Sequence, residues 1–234
     1  MRRLHPVLPA ESFVASGVYR YTALGEVEHW SVHGQPGGAL LFRVDRDRRA
    51  VDGRSLLIEA WATPAGAVER FSLRAYGGPG DSFRVARADF VLNGLRVEVG
   101  HSLDGAPRQD SVLALPAPAC ACPDAVSFRG QAVRCAVRRA SSVVLVTHTA
   151  FDGEQPFSGA AVPAASLPVW AESGAVRVDG REIPAQRWRW PGVPGFDGEL
   201  WLDAHGAVLR HTRPDAVEIT LARYARRMEP GAHD

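Results

Sequence analysis

The chain has 234 residues, 46% hydrophobic and 23% charged, with 27 basic against 26 acidic residues. That is globular composition for one domain, or two small ones, and a formal charge of +1 lacks the basic excess with which a nucleic-acid binder displaces counterions. Every basic residue is arginine, so chemistry that needs a lysine (Schiff bases, pyridoxal-phosphate catalysis, the standard P-loop) is excluded, because a guanidinium stays protonated and is a poor nucleophile.

The opening MRRLHPVLPAESF carries two arginines but no apolar run of signal-peptide length. No later stretch approaches the roughly 18–20 apolar residues of a membrane span. The expectation is a cytoplasmic chain that does not span a membrane, with residues 1–10 as an extension before the domain. The three cysteines, odd in number, are expected as free thiols in a reducing compartment.

From Val14 the apolar residues alternate with period two, the pattern of half-buried strands. Strands are predicted at Val14–Thr22, Glu26–His33, Ala39–Val44, Ser55–Trp61, Val68–Tyr76, Phe83–Leu92 and Leu95–Val99. Asn93-Gly94 is a two-residue hairpin signal joining the last two. Residues 11–115 therefore read as an up-and-down meander of about seven strands. ALPAPACACPD reads as a linker, and Pro123-Asp124 as the start of a helix to about Ala140, with an apolar stripe of Val126, Gln131, Val133 and Val137 that Gly130 weakens. Ser141–Phe151 is a strand, and residues 152–174 cross the surface with a short helical turn at Ala164–Trp170. Closing strands follow at Val176–Val178, Arg181–Trp190, Glu199–Asp203, Ala207–Thr212 and Ala216–Tyr224, before a polar tail, 226–234, expected to be disordered. Residues 51–61 and 178–188 share Val, Asp, Gly, Arg and a terminal Trp at one spacing, which reads as shared hairpin chemistry, with a two-half pseudo-repeat as the alternative.

About eleven strands with one or two short helices make a mainly β domain over residues 11–225. A single antiparallel sheet that long must curl into a half-barrel or barrel and enclose side chains or a ligand. No motif assigns a chemistry. Gly80-Asp81-Ser82 mimics an esterase block but sits in a turn. The histidines form no HxH or HExxH set, and Cys120, Cys122 and Cys135 match no standard zinc spacing, so no metal or other cofactor is expected. Glu59, Arg87, Asp89 and Arg210 break the apolar alternation; they are either solvent-facing or paired, or else anchors inside a cavity.

The run RVDGREIPAQRWRW (177–190), the hairpin GELWLDAHGAVLRH (198–211) and AVEITLARY (216–224), after a long meander and a Pro-rich helical interruption, resemble the closing half of the LolA-like half-barrel proteins. The resemblance implies a strongly curved sheet of about eleven strands wrapped around helices and carrying an apolar ligand, with no catalytic residue to transfer. The expected function is non-catalytic binding of an apolar or amphipathic small molecule such as a lipid, isoprenoid or pigment. Tyr19, Trp30, Phe42, Trp61, Phe71 and Trp201 are the candidate lining residues and Arg87 the candidate head-group partner. Two alternatives stand beside it. One is a cofactor-free isomerase or cyclase using Glu59, Asp89 and His148 in the same cavity, and the other is a partner-binding module with a filled core.

Overall fold

The computed structural model describes residues 8–22, 24–77, 83–93, 96–114, 119–139, 142–148, 157–162, 167–193 and 195–227. The meander runs β1 (Ser12–Tyr21), β2 (Val27–Gly34), β3 (Leu40–Arg48), β4 (Arg54–Ala62), β5 (Val68–Gly77), β6 (Arg84–Asn93), β7 (Arg96–Leu103) and β8 (Gln109–Ala114), with a single helical turn, α1 (Arg49–Asp52), between β3 and β4. After it come β9 (Ala119–Pro123), the helix α2 (Val126–Arg139), β10 (Ser142–His148) and β11 (Phe157–Val162). The closing strands are β12 (Val169–Val178), β13 (Arg181–Arg189), β14 (Glu199–Leu202), β15 (Val208–Thr212) and β16 (Glu218–Arg226).

Thirteen strands form one antiparallel sheet in the order β12-β13-β14-β15-β16-β1-β2-β3-β4-β5-β6-β7-β8. The first and last strands of the main sheet's chain path, β1 and β16, pair at its middle, and β12 and β8 are its open edges. At a strand spacing of about 4.8 Å a flat sheet of this width would be some 60 Å across. Yet α2 is touched by side chains from β2, β3 and β15, and Phe90 of β6 meets Phe157 of β11 edge-on at 6.2 Å. The sheet is therefore bent around α2 and its companions as an open half-barrel, and register shifts at Val18/Tyr19, Phe13/Ala15, Trp61/Ala62 and Trp201/Leu202 supply local bends.

Alternation decides which residues face inward. Tyr19, Trp30, Val32, Phe42, Val44, Ile58, Phe71, Leu73, Phe90, Leu200, Ile219 and Leu221 are all buried on the concave side. The inner positions of β4 to β6 are largely alanine (Ala60, Ala62, Ala75, Ala86, Ala88), which leaves depth for a second layer. That layer is a three-stranded sheet, β11-β10-β9, in which β9 and β10 run parallel. Parallel neighbours need a crossover of a dozen or more residues, and α2 provides it.

This inner layer corrects several expectations. ACACP is a strand, not a linker, and residues 157–162 are strand β11 within the stretch read as surface crossing. Val169 and Trp170 open strand β12 where a helical turn was expected, while residues 164–166 of that turn lie outside the described residues. The free-thiol reading fails for two cysteines. The β9-α2-β10 unit lays α2 over β9, and Cys120 and Cys135 are joined as a disulfide with Cα atoms 6.6 Å apart; Cys122 is free and buried. The stripe of α2 also differs: Val126, Phe128, Arg129, Ala132, Val133 and Ala136 are buried, and Val137 is exposed. Gly130 serves packing, since a Cβ there would overlap the carbonyl oxygen of Gly206 in the β14–β15 turn. The two VDGR segments differ in structure. The first is a helical turn ended by Gly53 (φ 74°), and the second is a tight hairpin with Asp179 and Gly180 at φ 49° and 78°. Gly80-Asp81-Ser82, Gly94, Leu95 and residues 228–234 of the tail lie outside the described residues.

Candidate functional site

A cavity of about 340 Å³ lies between the concave sheet face and α2. That is room for on the order of ten waters, so it is the size of a small organic ligand and not of a single ion. Val14, Ala15 and Tyr19 of β1, Trp30 and Val32 of β2, and Leu40 and Phe42 of β3 form one wall. Ser127, Gln131, Arg134, Cys135 and Arg138 form the other, spaced so that they share one face of α2. Pro64–Ala67 of the β4–β5 loop, His205 and Ala207 of the β14–β15 turn, and Arg226 of β16 close the ring.

The sheet wall is aromatic because the pleat stacks these side chains across strands. Tyr19 stacks near Trp30 with ring centroids 6.0 Å apart, and Trp30 meets Tyr224 at 6.1 Å. Phe42 packs on Phe128 of α2 at 5.4 Å, holding the helix against the wall. The indole of Trp30 covers Gly17, where an added Cβ would come within 2.7 Å of it.

The helix is held at its N-terminus by Glu28, which is fully buried. Its Oε2 accepts from the Val126 amide at 3.1 Å and its Oε1 from the Ser127 amide at 2.8 Å, so a strand side chain does the work of a helix cap and its charge complements the helix dipole. Tyr21 Oη also donates to Glu28, at 3.3 Å, and Arg46 donates to the Asp124 carbonyl and pairs with buried Glu26. Further along, the Arg129 guanidinium donates to His211 Nδ1 at 2.6 Å, while His211 Nε2–H donates to the Asp197 carbonyl at 3.0 Å. Burial, and then the Arg129 charge, pull the His211 imidazole down to about 3, so it is neutral at physiological pH.

Four residues that line the cavity each carry a buried polar side-chain atom with no hydrogen-bond partner among the described residues: Tyr19 Oη, Trp30 Nε1, Ser127 Oγ and Gln131 Oε1. The Tyr19 hydroxyl lies beside the Val208 amide without forming a regular hydrogen bond. A buried unsatisfied group costs about 1–3 kcal/mol, so four of them in residues around one cavity set this region apart.

The sequence-predicted residues divide. Tyr19, Trp30 and Phe42 line the cavity. Phe71 is buried away from it, stacked on Phe90 at 4.6 Å. Trp61 points to the opposite face, under the Arg70 guanidinium at 4.4 Å, and Trp201 likewise lies by Arg187 at 5.7 Å and against Gly174. Arg87 is exposed on the outer face in a shallow depression with Phe83, Val85, Ser102 and Asp104. Glu59 pairs with Arg43 at 3.4 Å, Asp89 with Arg108 at 3.2 Å and Arg210 with Glu218, all away from the cavity. The His148 side chain lies outside what is described. Sequence reasoning missed Ser127, Gln131, Arg134, Arg138 and Arg226; the i, i+4 spacing of the helical residues was the available signal.

One other cluster has catalytic-looking geometry. On the outer face His33 Nε2 is 3.0 Å from Ser31 Oγ, and His33 Nδ1 is 3.8 Å from Glu11 Oε2. Glu11, however, accepts from both terminal nitrogens of Arg43 at 2.8 Å, and these bonds hold its carboxyl down at about 2. Ser31 lines neither this cavity nor the depression around Arg87. The cluster acts as a buried ion pair that pins residue 11 to β3.

No protein-family model and no curated protein matches this sequence.

Proposed function

We propose that this protein binds a small amphipathic molecule non-catalytically in the cavity between the concave sheet and α2. The four unpartnered polar atoms in residues around this aromatic and aliphatic cavity carry this reading. The ligand lies with an apolar side on Tyr19, Trp30, Val32 and Phe42, and offers acceptors to Trp30 Nε1–H and Tyr19 Oη–H and a donor to Gln131 Oε1. Apolar contact supplies affinity and the few polar groups supply orientation. The polar wall favours a molecule with hydroxyl, ester or amide groups over bare hydrocarbon.

The resemblance to LolA-like half-barrels, whose curved sheets enclose an apolar ligand, supports the same function. The Cys120–Cys135 disulfide favours an oxidising compartment over the cytosol, where thiols are kept reduced. The isomerase alternative loses support, because Glu59 and Asp89 do not line the cavity.

Mass spectrometry of organic extracts of the protein purified from its native host tests this reading. A reproducible molecule at near one per chain is expected. Extracts with none, from protein with an intact fold, contradict it.

A further inference from the structure

The cavity mouth is strongly one-sided in charge. Its exposed rim includes Pro64, Ala65, His205 and Arg138, and three guanidiniums reach it: Arg134 and Arg138 from α2, and Arg226 from β16. Among the described residues no carboxylate lines the cavity and none pairs with any of the three. Burial, and then the like charge of Arg138, push the Arg134 guanidinium below its ordinary value, against the opposing charge of Asp203 and with a smaller push from Arg226. Asp203 is already committed: it accepts from the His205 and Ala207 amides at 2.9 and 2.7 Å and from Tyr224 Oη at 2.6 Å.

Like charges at i, i+4 on a helix destabilise it, and a third arginine facing them adds to the repulsion. Arg134 donates to the Ala204 carbonyl, which fixes its guanidinium in place beside the opening, and Arg226 lies next to Tyr224. Guanidinium forks held apart and unpaired are suited to the oxygens of an anion. The polarity of α2 rises in the same direction, from buried Ser127 through Gln131 to Arg134 and Arg138.

We propose that this arginine trio is a clamp for the anionic head group, carboxylate or phosphate, of the amphiphile whose body fills the cavity. The inference rests on the cavity-binding reading above. The head sits among Arg134, Arg138 and Arg226, and the body runs along α2 toward Trp30 and Tyr19.

The test compares 1-decanoyl lysophosphatidate with the 1-decanoyl glycerol that lacks only its phosphate, adding decanoate and inorganic phosphate, by calorimetry on the full chain below micelle concentrations. The lysophosphatidate is expected to bind at least tenfold more tightly than the neutral glyceride and to weaken with salt. Decanoate binding of the same strength assigns a carboxylate source, and its weakness assigns a phosphate. The Arg138→Gln/Arg226→Gln variant, checked for an unchanged melting temperature, is expected to bind the lysophosphatidate only as well as it binds the glyceride. Equal affinity for both lipids, or an unaffected variant, overturns the clamp while leaving the cavity reading intact. Binding of inorganic phosphate alone as tightly as the lipid overturns the head-and-body arrangement. Binding of none of the lipids overturns both proposals.

Discussion

The indole of Trp30 lies across Gly17, and the two residues are paired directly across β1 and β2. A Cβ on Gly17 would stand 2.7 Å from Trp30 Nε1 and two ring carbons. Gly17→Ala must therefore push the indole into the cavity. The expected cost is about 1–3 kcal/mol of stability from overpacking, with a changed tryptophan emission spectrum. Chemical denaturation followed by fluorescence measures both, and an unchanged midpoint and spectrum would show that the indole is not held there.

Glu28 determines whether α2 stays docked. Glu28→Ala strips two amides of their acceptor and Tyr21 of its partner, and is expected to cost about 2 kcal/mol or more. Glu28→Gln keeps one acceptor oxygen and is expected to fall between the two. Urea midpoints of the three proteins check the order, and an alanine variant as stable as the parent would remove Glu28 from its capping role.

His211 sets an acid dependence. Its folded value of about 3 lies below the ordinary 6.5, so the unfolded chain binds the proton more readily. The stability it contributes is complete above pH 6.5 and is lost as pH falls toward 3, at up to about 1.4 kcal/mol per pH unit. His211→Gln retains a donor for the Asp197 carbonyl and an acceptor for Arg129. It is expected to flatten the stability profile between pH 6.5 and 4.5, above the range in which Glu11, held down at about 2, begins to lose its charge. Denaturation midpoints across that range give the answer, and an equally steep decline in the variant would contradict it.

The Cys120–Cys135 disulfide closes a 15-residue separation. A loop of that length corresponds to about 3 kcal/mol of stabilisation in the chain-entropy description. Reduction is expected to lower the melting temperature, and the double serine variant should match the reduced protein. Thiol labelling of the native protein should modify none of the three cysteines, because Cys122 is buried and its thiol is pushed up to about 12. Labelling of Cys120 and Cys135 without reductant would contradict the bond.

Strand alternation made the meander, the closing hairpins and the curvature legible in the sequence, and Pro123-Asp124 came within a few residues of the start of α2. Period two also placed Trp30 and Val32 on one face. It does not say which face meets the helix, which is why Trp61 and Trp201, with the same spacing logic, lie on the other side of the sheet. The strands Ala119–Pro123 and Phe157–Val162 were illegible because proline, alanine and glycine are frequent in them, and the first pairs only with a parallel partner across a helix. No sequence pattern marked the arginines of α2 as lining a cavity. Only the docking of that face over Trp30, fixed by Glu28 and by the close approach of Gly130 to Gly206, turns it into a cavity wall.

The cavity's role as a binding site is tested most directly by filling it. Ala15 lines the cavity and is 2% exposed, so Ala15→Phe places a ring in the space. Native mass spectrometry of the parent is expected to show a small molecule at one per chain, and the filled variant, still folded by its melting curve, is expected to show none. A folded Ala15→Phe protein that carries the same molecule at the same occupancy would contradict the account.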